Sequence, residues 1–219
     1  MDVCIFKDLH KSRPQRTSLE KIIEMIRTSC RLEELTIMAR EFYAAGQTAK
    51  GDVIKKSKLP AFAPSGYLMD GKGRNNLIGL TGLCFIDIDK VDPERVDAAM
   101  TVLQNDDHVL FASRSISGTG IHILIPYTLN REAPETSLPA TPEKANQVYG
   151  SVFKATAACY SELLQLPIDY MAANAERLCV VSYDSQAHYN PAAVPIVYKY
   201  EHQKSGKKSK RFAEYILPE

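Results

Sequence analysis

Two carboxylates, Asp87 and Asp89, stand two apart at the end of the apolar run L-C-F-I-D-I-D. In a strand, residues two apart project from the same face, so the pair leaves one strand end together. Like charges placed this way repel unless a cation, a shared proton or solvent relieves them. Hard divalent ions favour carboxylate oxygens, so the pattern points to a metal. Further along, Ser117-Gly118-Thr119-Gly120 makes a turn of small residues, and the strand after it, 121–125, has a single polar member, His122. A Gly-Ser turn beside a metal suits a phosphorylated ligand. Asp169, after Pro167 and Ile168, is a further carboxylate. Taken singly, each feature is ordinary: a strand His is usually packed or hydrogen bonded, S-G-T-G is a hairpin turn, and an Asp in this position serves as a turn residue or cap. Their order along otherwise apolar strands is what points to a site.

The elements that must position these residues follow from periodicity. A strand at 83–89 is followed by Asp92-Pro93, a helix start, and a helix to about 104. Strands are predicted at 108–115 and 120–126, then a long helix over 143–165 after Pro142, buried along Ala145, Val148, Val152, Ala155, Ala158, Cys159 and Leu163. Residues 177–183 predict a fourth strand. This order is the split β-α-β arrangement of ferredoxin-like and RNA-recognition folds, in which the first and third strands are central neighbours and one sheet face stays open. Alternation puts Phe85, Asp87, Asp89, His122 and Leu124 on the open face, with Cys84, Ile86, Ile88, Ile121, Ile123 and Ile125 toward the helices.

The fold class expected is therefore α+β, with an N-terminal extension. That extension reads as a strand at 2–6, a helix at 18–29 opened by a Thr17/Glu20 capping box, and a helix at 32–45. The second helix has Leu32, Leu35, Met38, Ala39 and Phe42 on one stripe, and Gly46 stops it. Lys50, Lys55, Lys56 and Lys58 form a basic run, either solvated surface or a phosphate contact, and Pro60, Pro64 and Gly66 read as a loop. Residues 70–76 read as a turn, 130–142 and 188–195 as loops, and 196–200 as a short strand. One domain is expected over 1–203, with 204–219 a basic linker toward a further C-terminal domain.

Composition excludes some classes. At 45% apolar and 24% charged the chain is ordinary for a globular protein, and a net charge of +1 gives no global signal for nucleic acid, so such binding needs a local patch. The five cysteines are odd in number and none are spaced as metal-ligand pairs, which predicts a reducing, cytoplasmic setting. No run reaches membrane-spanning length, and the N-terminus lacks a signal-peptide pattern.

Residues 50–195 resemble the catalytic core of the archaeo-eukaryotic primase superfamily, the primase-polymerase fold. Cys84-Phe85-Ile86-Asp87-Ile88-Asp89 resembles its h-h-D-h-D strand, Ser117-Gly118-Thr119-Gly120-Ile121-His122 its small-residue turn and strand His, and Ile168-Asp169 its later h-D. Arg177 and Ser182 follow in the manner of an R-x-x-x-x-S segment. Within the superfamily the chain is most similar to primase-like N-terminal domains of virulence-associated protein E-type replication proteins of Bacteroides-like bacteria, on Lys58-Leu59-Pro60-Ala61-Phe62, Ser182-Tyr183-Asp184 and Asn190-Pro191. Gly120 departs from the short Ser-x-His form of the second motif and leaves less hydroxyl chemistry beside His122.

The resemblance implies a metal-dependent nucleotidyltransferase that synthesises primers or extends nucleic acid on a single-stranded DNA template. Asp87, Asp89 and Asp169 would hold one or two Mg²⁺ or Mn²⁺. His122 would contact the phosphates of a nucleoside triphosphate, with backbone N–H groups of Ser117–Gly120 beside it. Lys58 and Arg177 would meet a phosphate or the template, and a helicase in the same chain or in trans is the expected partner. Two rivals stand beside this reading. A palm-type nucleotidyl cyclase would need no template. A catalytically degenerate domain would bind single strands or recruit a helicase, and such modules expose aromatics for stacking.

Overall fold

The computed structural model describes residues 1–10, 13–130 and 141–199, together with the backbone of 214–215. The expected linker at 204–219, apart from 214–215, and most of the expected loop at 130–142 lie outside the described residues.

The chain opens with strands β1 (Asp2–Phe6) and β2 (Gln15–Ser18), then helices α1 (Leu19–Thr28), α2 (Cys30–Ala44) and α3 (Thr48–Ser57). Helix α1 buries Leu19, Ile22, Ile23 and Ile26, as its spacing predicts, but Ser18 is its cap: the Ser18 hydroxyl accepts from Lys21 N at 3.3 Å. Thr17, expected as the cap, pairs with Val3 in β2 instead. Helix α2 buries Leu32, Leu35, Thr36 and Ala39 and leaves Met38 exposed, against the expected stripe. Thr36 takes the inward place because its hydroxyl accepts from Tyr183 N at 2.9 Å. Helix α3 forms where only a basic run was expected, and it buries little beyond Gly51 and Ile54.

Short strands β3 (Ala61–Ala63), β4 (Gly66–Leu68) and β5 (Leu77–Leu80) follow, in a stretch that reads as loop and turn. The site-bearing elements come next: β6 (Leu83–Ile88), α4 (Pro93–Gln104), β7 (Phe111–Arg114), β8 (Ile121–Asn130) and α5 (Pro142–Leu164). The chain continues through β9 (Cys179–Val180), β10 (His188–Tyr189), β11 (Ile196–Lys199) and β12 (Glu214–Tyr215).

The architecture is α+β: five helices among the described residues pack on sheets that are antiparallel apart from the β8–β11 pair. One sheet runs β2-β1-β3-β9. The other runs β10-β7-β8-β11-β12, with β6 also paired to β8, and β4 and β5 form a separate hairpin. The register sets Asp87 opposite His122, Phe85 opposite Leu124 and Ser113 opposite His122. Residues directly opposite share a face, so Asp87, His122 and Ser113 form one row across three strands.

Two expectations need correction. The strand at 177–183 shrinks to Cys179–Val180 and pairs with β3 in the sheet that does not carry β6. The face that carries Asp87 and His122 is also not open, because Phe85, Phe111 and Leu124 on it are at most 1% exposed. Cys179, from the first sheet, reaches into this face with its Sγ 3.3 Å from His122 Nδ1. The N-terminal helices hold the segment after β9 in place: Asp184 N donates to Ile26 O at 3.0 Å, and Arg27 donates to Ala187 O at 2.6 Å.

On the opposite face lies α5, capped by Thr141, whose hydroxyl accepts from Lys144 N at 3.3 Å, and started by Pro142. Its buried side includes Ala145, Val148 and Val152 as expected, but the inner stripe is completed by Tyr149, Phe153 and Tyr160, while Ala158, Cys159 and Leu163 face out. Aromatic side chains fill the space over the sheet that small aliphatic ones would leave as voids. Tyr149 OH accepts from Phe85 N and from Ser65 Oγ and donates to Ala172 O, at 3.3, 3.0 and 3.3 Å. One hydroxyl thus ties α5 to β6 and to the 3-10 turn Tyr170–Ala173 that follows Asp169.

Candidate metal centre

Strand β6 ends at Ile88, so Asp87 is held inside the sheet and Asp89 lies just beyond it. Asp87 is 7% exposed and Asp89 is exposed. Asp169 is brought to them by its backbone: its N–H donates to Asp87 O at 2.8 Å. Carboxylate oxygens of Asp87, Asp89 and Asp169 all lie within 4.8 Å of one another, so the three predicted ligands converge. Asp169 is also a cap, since its Oδ1 accepts from Met171 N at 2.8 Å. That bond fixes the carboxylate and leaves Oδ2 turned to Arg177, whose Nη2 is 3.5 Å away and 3.9 Å from Asp87 Oδ2.

The cluster concentrates negative charge around a buried carboxylate. Burial pushes the Asp87 carboxyl pKa up, and Asp89 and Asp169 add to that, while His122 and Arg177 oppose it. Asp87 Oδ1 is buried without a hydrogen-bond partner. A buried unpaired carboxylate oxygen is costly, and it is relieved by a proton or a cation. Three carboxylate donors at this spacing match the oxygen-only sphere of Mg²⁺ or Mn²⁺.

His122 sits behind the acids. Its Nε2 is 3.6 Å from Asp87 Oδ1, its ring packs on Phe85 with centroids 5.7 Å apart, and it is 8% exposed. Burial lowers its pKa, outweighing the acids that raise it. The Cys179 thiol against Nδ1 is pushed well up, by burial and then by Asp87, and stays protonated. As placed, the imidazole meets Asp87 rather than the solvent side.

The small-residue turn closes the site on the Asp89 side. Gly118 adopts φ +77°, a conformation that suits glycine, and its N–H donates to Ser115 O at 2.9 Å. Thr119 N donates to Ser117 Oγ at 3.3 Å. Two of the N–H groups expected to cradle phosphate are therefore used inside the turn. The hydroxyls form a chain instead: Ser115 Oγ to Ser117 Oγ at 3.1 Å and Ser117 Oγ to Thr119 Oγ1 at 3.0 Å. A Cβ on Gly120 would collide with Ile88 O and lie 2.8 Å from Ser115 Oγ and 3.1 Å from Asp89 Oδ1. A serine has no room at that position, and hydroxyls come instead from Ser113 on β7 and Ser115 just after it.

Several site residues escape sequence reading. Arg40 on α2 donates to Ser115 O and Ile116 O, each at 3.2 Å, and so holds the turn from outside. Lys55, rather than Lys58, is the cation of the basic run felt at His122 and Cys179, whereas Lys58 is exposed at the end of α3. Arg40 gives no sequence signal, because it meets the turn only through tertiary packing. Lys55 stands three residues before Lys58, and the α3 helix selects between them. Ser182 is buried and donates to Arg114 O at 3.4 Å, a structural bond to β7.

Residues 54–189 match the sequence profile of the BT4734-like, N-terminal domain family. The match covers more than half of the chain and contains every residue of the cluster, and the chain belongs to that family. No curated protein and no solved structure matches it. No described helix is long and apolar enough to cross a membrane.

Proposed function

We propose that this chain is a metal-dependent nucleotidyltransferase of the primase-polymerase type, acting in the cytoplasm on nucleoside triphosphates and a single-stranded DNA template. The observation that carries the reading is the convergence of Asp87, Asp89 and Asp169 within 4.8 Å around a buried, unpartnered Asp87 Oδ1. The unit β6–α4–β7–β8, with β6 and β7 both against β8, supports a split β-α-β core of RNA-recognition type.

Asp87, Asp89 and Asp169 would hold one or two Mg²⁺ or Mn²⁺. When bound, such ions neutralise the triphosphate and favour attack by a 3′-oxygen. The chain's own residues do the rest. His122, packed on Phe85 with its Nε2 3.6 Å from Asp87 Oδ1, backs the Asp87 carboxylate. Arg177, Lys55 and the Ser117 and Thr119 hydroxyls present donors to phosphate oxygens. Tyr170 and Met171, 56% and 64% exposed directly after Asp169, offer an apolar surface to an unpaired base. A helicase partner, in the same chain or in trans, belongs to this reading as the source of single-stranded template.

Incubation with Mn²⁺ or Mg²⁺, nucleoside triphosphates and single-stranded DNA tests it. Template-directed product is expected, lost with a chelator and in the variant Asp87→Ala plus Asp89→Ala. Cyclic product made equally well without template would assign the site to a cyclase. Absence of any product, with single-strand binding indifferent to chelator, would overturn the catalytic reading in favour of a binding module.

A further inference from the structure

Arg177 is placed across two of the three proposed ligands, with Nη2 3.5 Å from Asp169 Oδ2 and 3.9 Å from Asp87 Oδ2. A guanidinium has five N–H donors and no acceptor, so here it does for the acids what a bound cation would do. It faces the Oδ2 atoms of both carboxylates, so a divalent ion held by the cluster competes with it for their charge and the two cations repel. Its side chain is 39% exposed, which leaves it a way out to solvent without disturbing the core. The 3-10 turn after Asp169 and the short strand β9 flank it, so the backbone of Arg177 stays fixed while the side chain swings: its N–H donates to Asn174 O at 3.0 Å.

Resting on the metal-centre reading above, we propose that Arg177 is an exchangeable counter-cation. It neutralises Asp87 and Asp169 until a divalent ion takes them, and then turns its charge to the anionic group of the ligand that the ion holds, a triphosphate. Ion and triphosphate thereby bind cooperatively through one side chain. The coupling is reciprocal, as any binding linkage must be.

Mn²⁺ binding to the full chain, followed by electron paramagnetic resonance with and without a non-hydrolysable nucleoside triphosphate, tests this. In Arg177→Gln the affinity for Mn²⁺ alone should rise roughly three- to tenfold, since a partly exposed competing charge is gone. The further tightening that the triphosphate gives the wild type should fall by about the same factor. A second measurement needs no variant: modification of Arg177 by an arginine-directed dicarbonyl reagent, read by mass spectrometry, should speed up when Mn²⁺ is added. Unchanged Mn²⁺ affinity in Arg177→Gln, or unchanged reactivity of Arg177 in a wild type that binds Mn²⁺, would overturn the exchange. A wild type that binds no Mn²⁺ at all would instead overturn the metal centre on which it rests.

Discussion

Asp87 combines burial, two acidic neighbours and one oxygen without a partner, and this sets its stability sign. Because its pKa is raised in the folded chain, the folded state holds the proton more tightly than the unfolded state. Above the raised value the ionised group therefore lowers stability, and the loss is recovered as pH falls toward the ordinary carboxylate range. Asp87→Asn should raise Tm in chelator by about 2–4 °C, equivalent to about 1 kcal/mol in a chain of this size. The same variant should abolish the rise in Tm that Mn²⁺ gives the wild type, and differential scanning calorimetry reads both effects. A variant less stable than wild type in chelator would contradict the reading of Asp87 as a strained ligand. At this scale the acids and His122 are legible in the sequence because period-two geometry fixes their faces. Arg40 and Ser115 are not legible, since each reaches the site from a separate element, and Lys55 is legible only as one member of a basic run.

Among elements, the β6–β8 pair and the turn that feeds β8 determine where Asp89 points. Gly120 is the close contact between them: a side chain there meets Ile88 O, Ser115 Oγ and Asp89 Oδ1. Gly120→Ala should cost about 1–3 kcal/mol by overpacking, and lower Tm by about 2–12 °C. Mn²⁺ affinity should fall with it, because the displaced atoms include an oxygen of the proposed ligand Asp89. Unchanged Tm and unchanged affinity would mean that the turn does not brace Asp89. Strands β6 and β8 and helices α1, α4 and α5 can be read from the sequence because each is long, periodic and punctuated by proline or a cap. Strand β3, three residues and fully buried, has no alternation to read. Helix α3 has too few apolar residues to show a stripe. The fate of the segment at 177–183 rests on competition between two sheets, which local pattern does not encode.

For the molecule as a whole, the two larger sheets and five helices among the described residues share one core, and burial acts on two histidines in and beside it. Burial lowers the pKa of both His122 and His188, and His188 Nε2 is buried without a hydrogen-bond partner. Below about pH 6.5 the unfolded chain takes up protons at these rings that the folded chain resists, so their contribution to stability is complete above that pH and is lost as pH falls through it. Tm measured in chelator should drop between pH 7.5 and 5.5, and the drop should be smaller in His188→Gln; an equal drop would remove His188 from the account. The α+β class was legible from the order of elements. The covered face was not, because the residues that roof it come from the N-terminal sheet and helices, far away in sequence.

The central claim is that Asp87, Asp89 and Asp169 form one divalent-cation centre that receives a nucleoside triphosphate. Anomalous diffraction from crystals soaked with Mn²⁺ and a non-hydrolysable triphosphate tests it most directly. The account predicts a manganese peak within about 2.0–2.6 Å of oxygens from all three carboxylates, with the triphosphate on its solvent side. Manganese bound elsewhere, or no peak at these carboxylates at saturating ion, would contradict it.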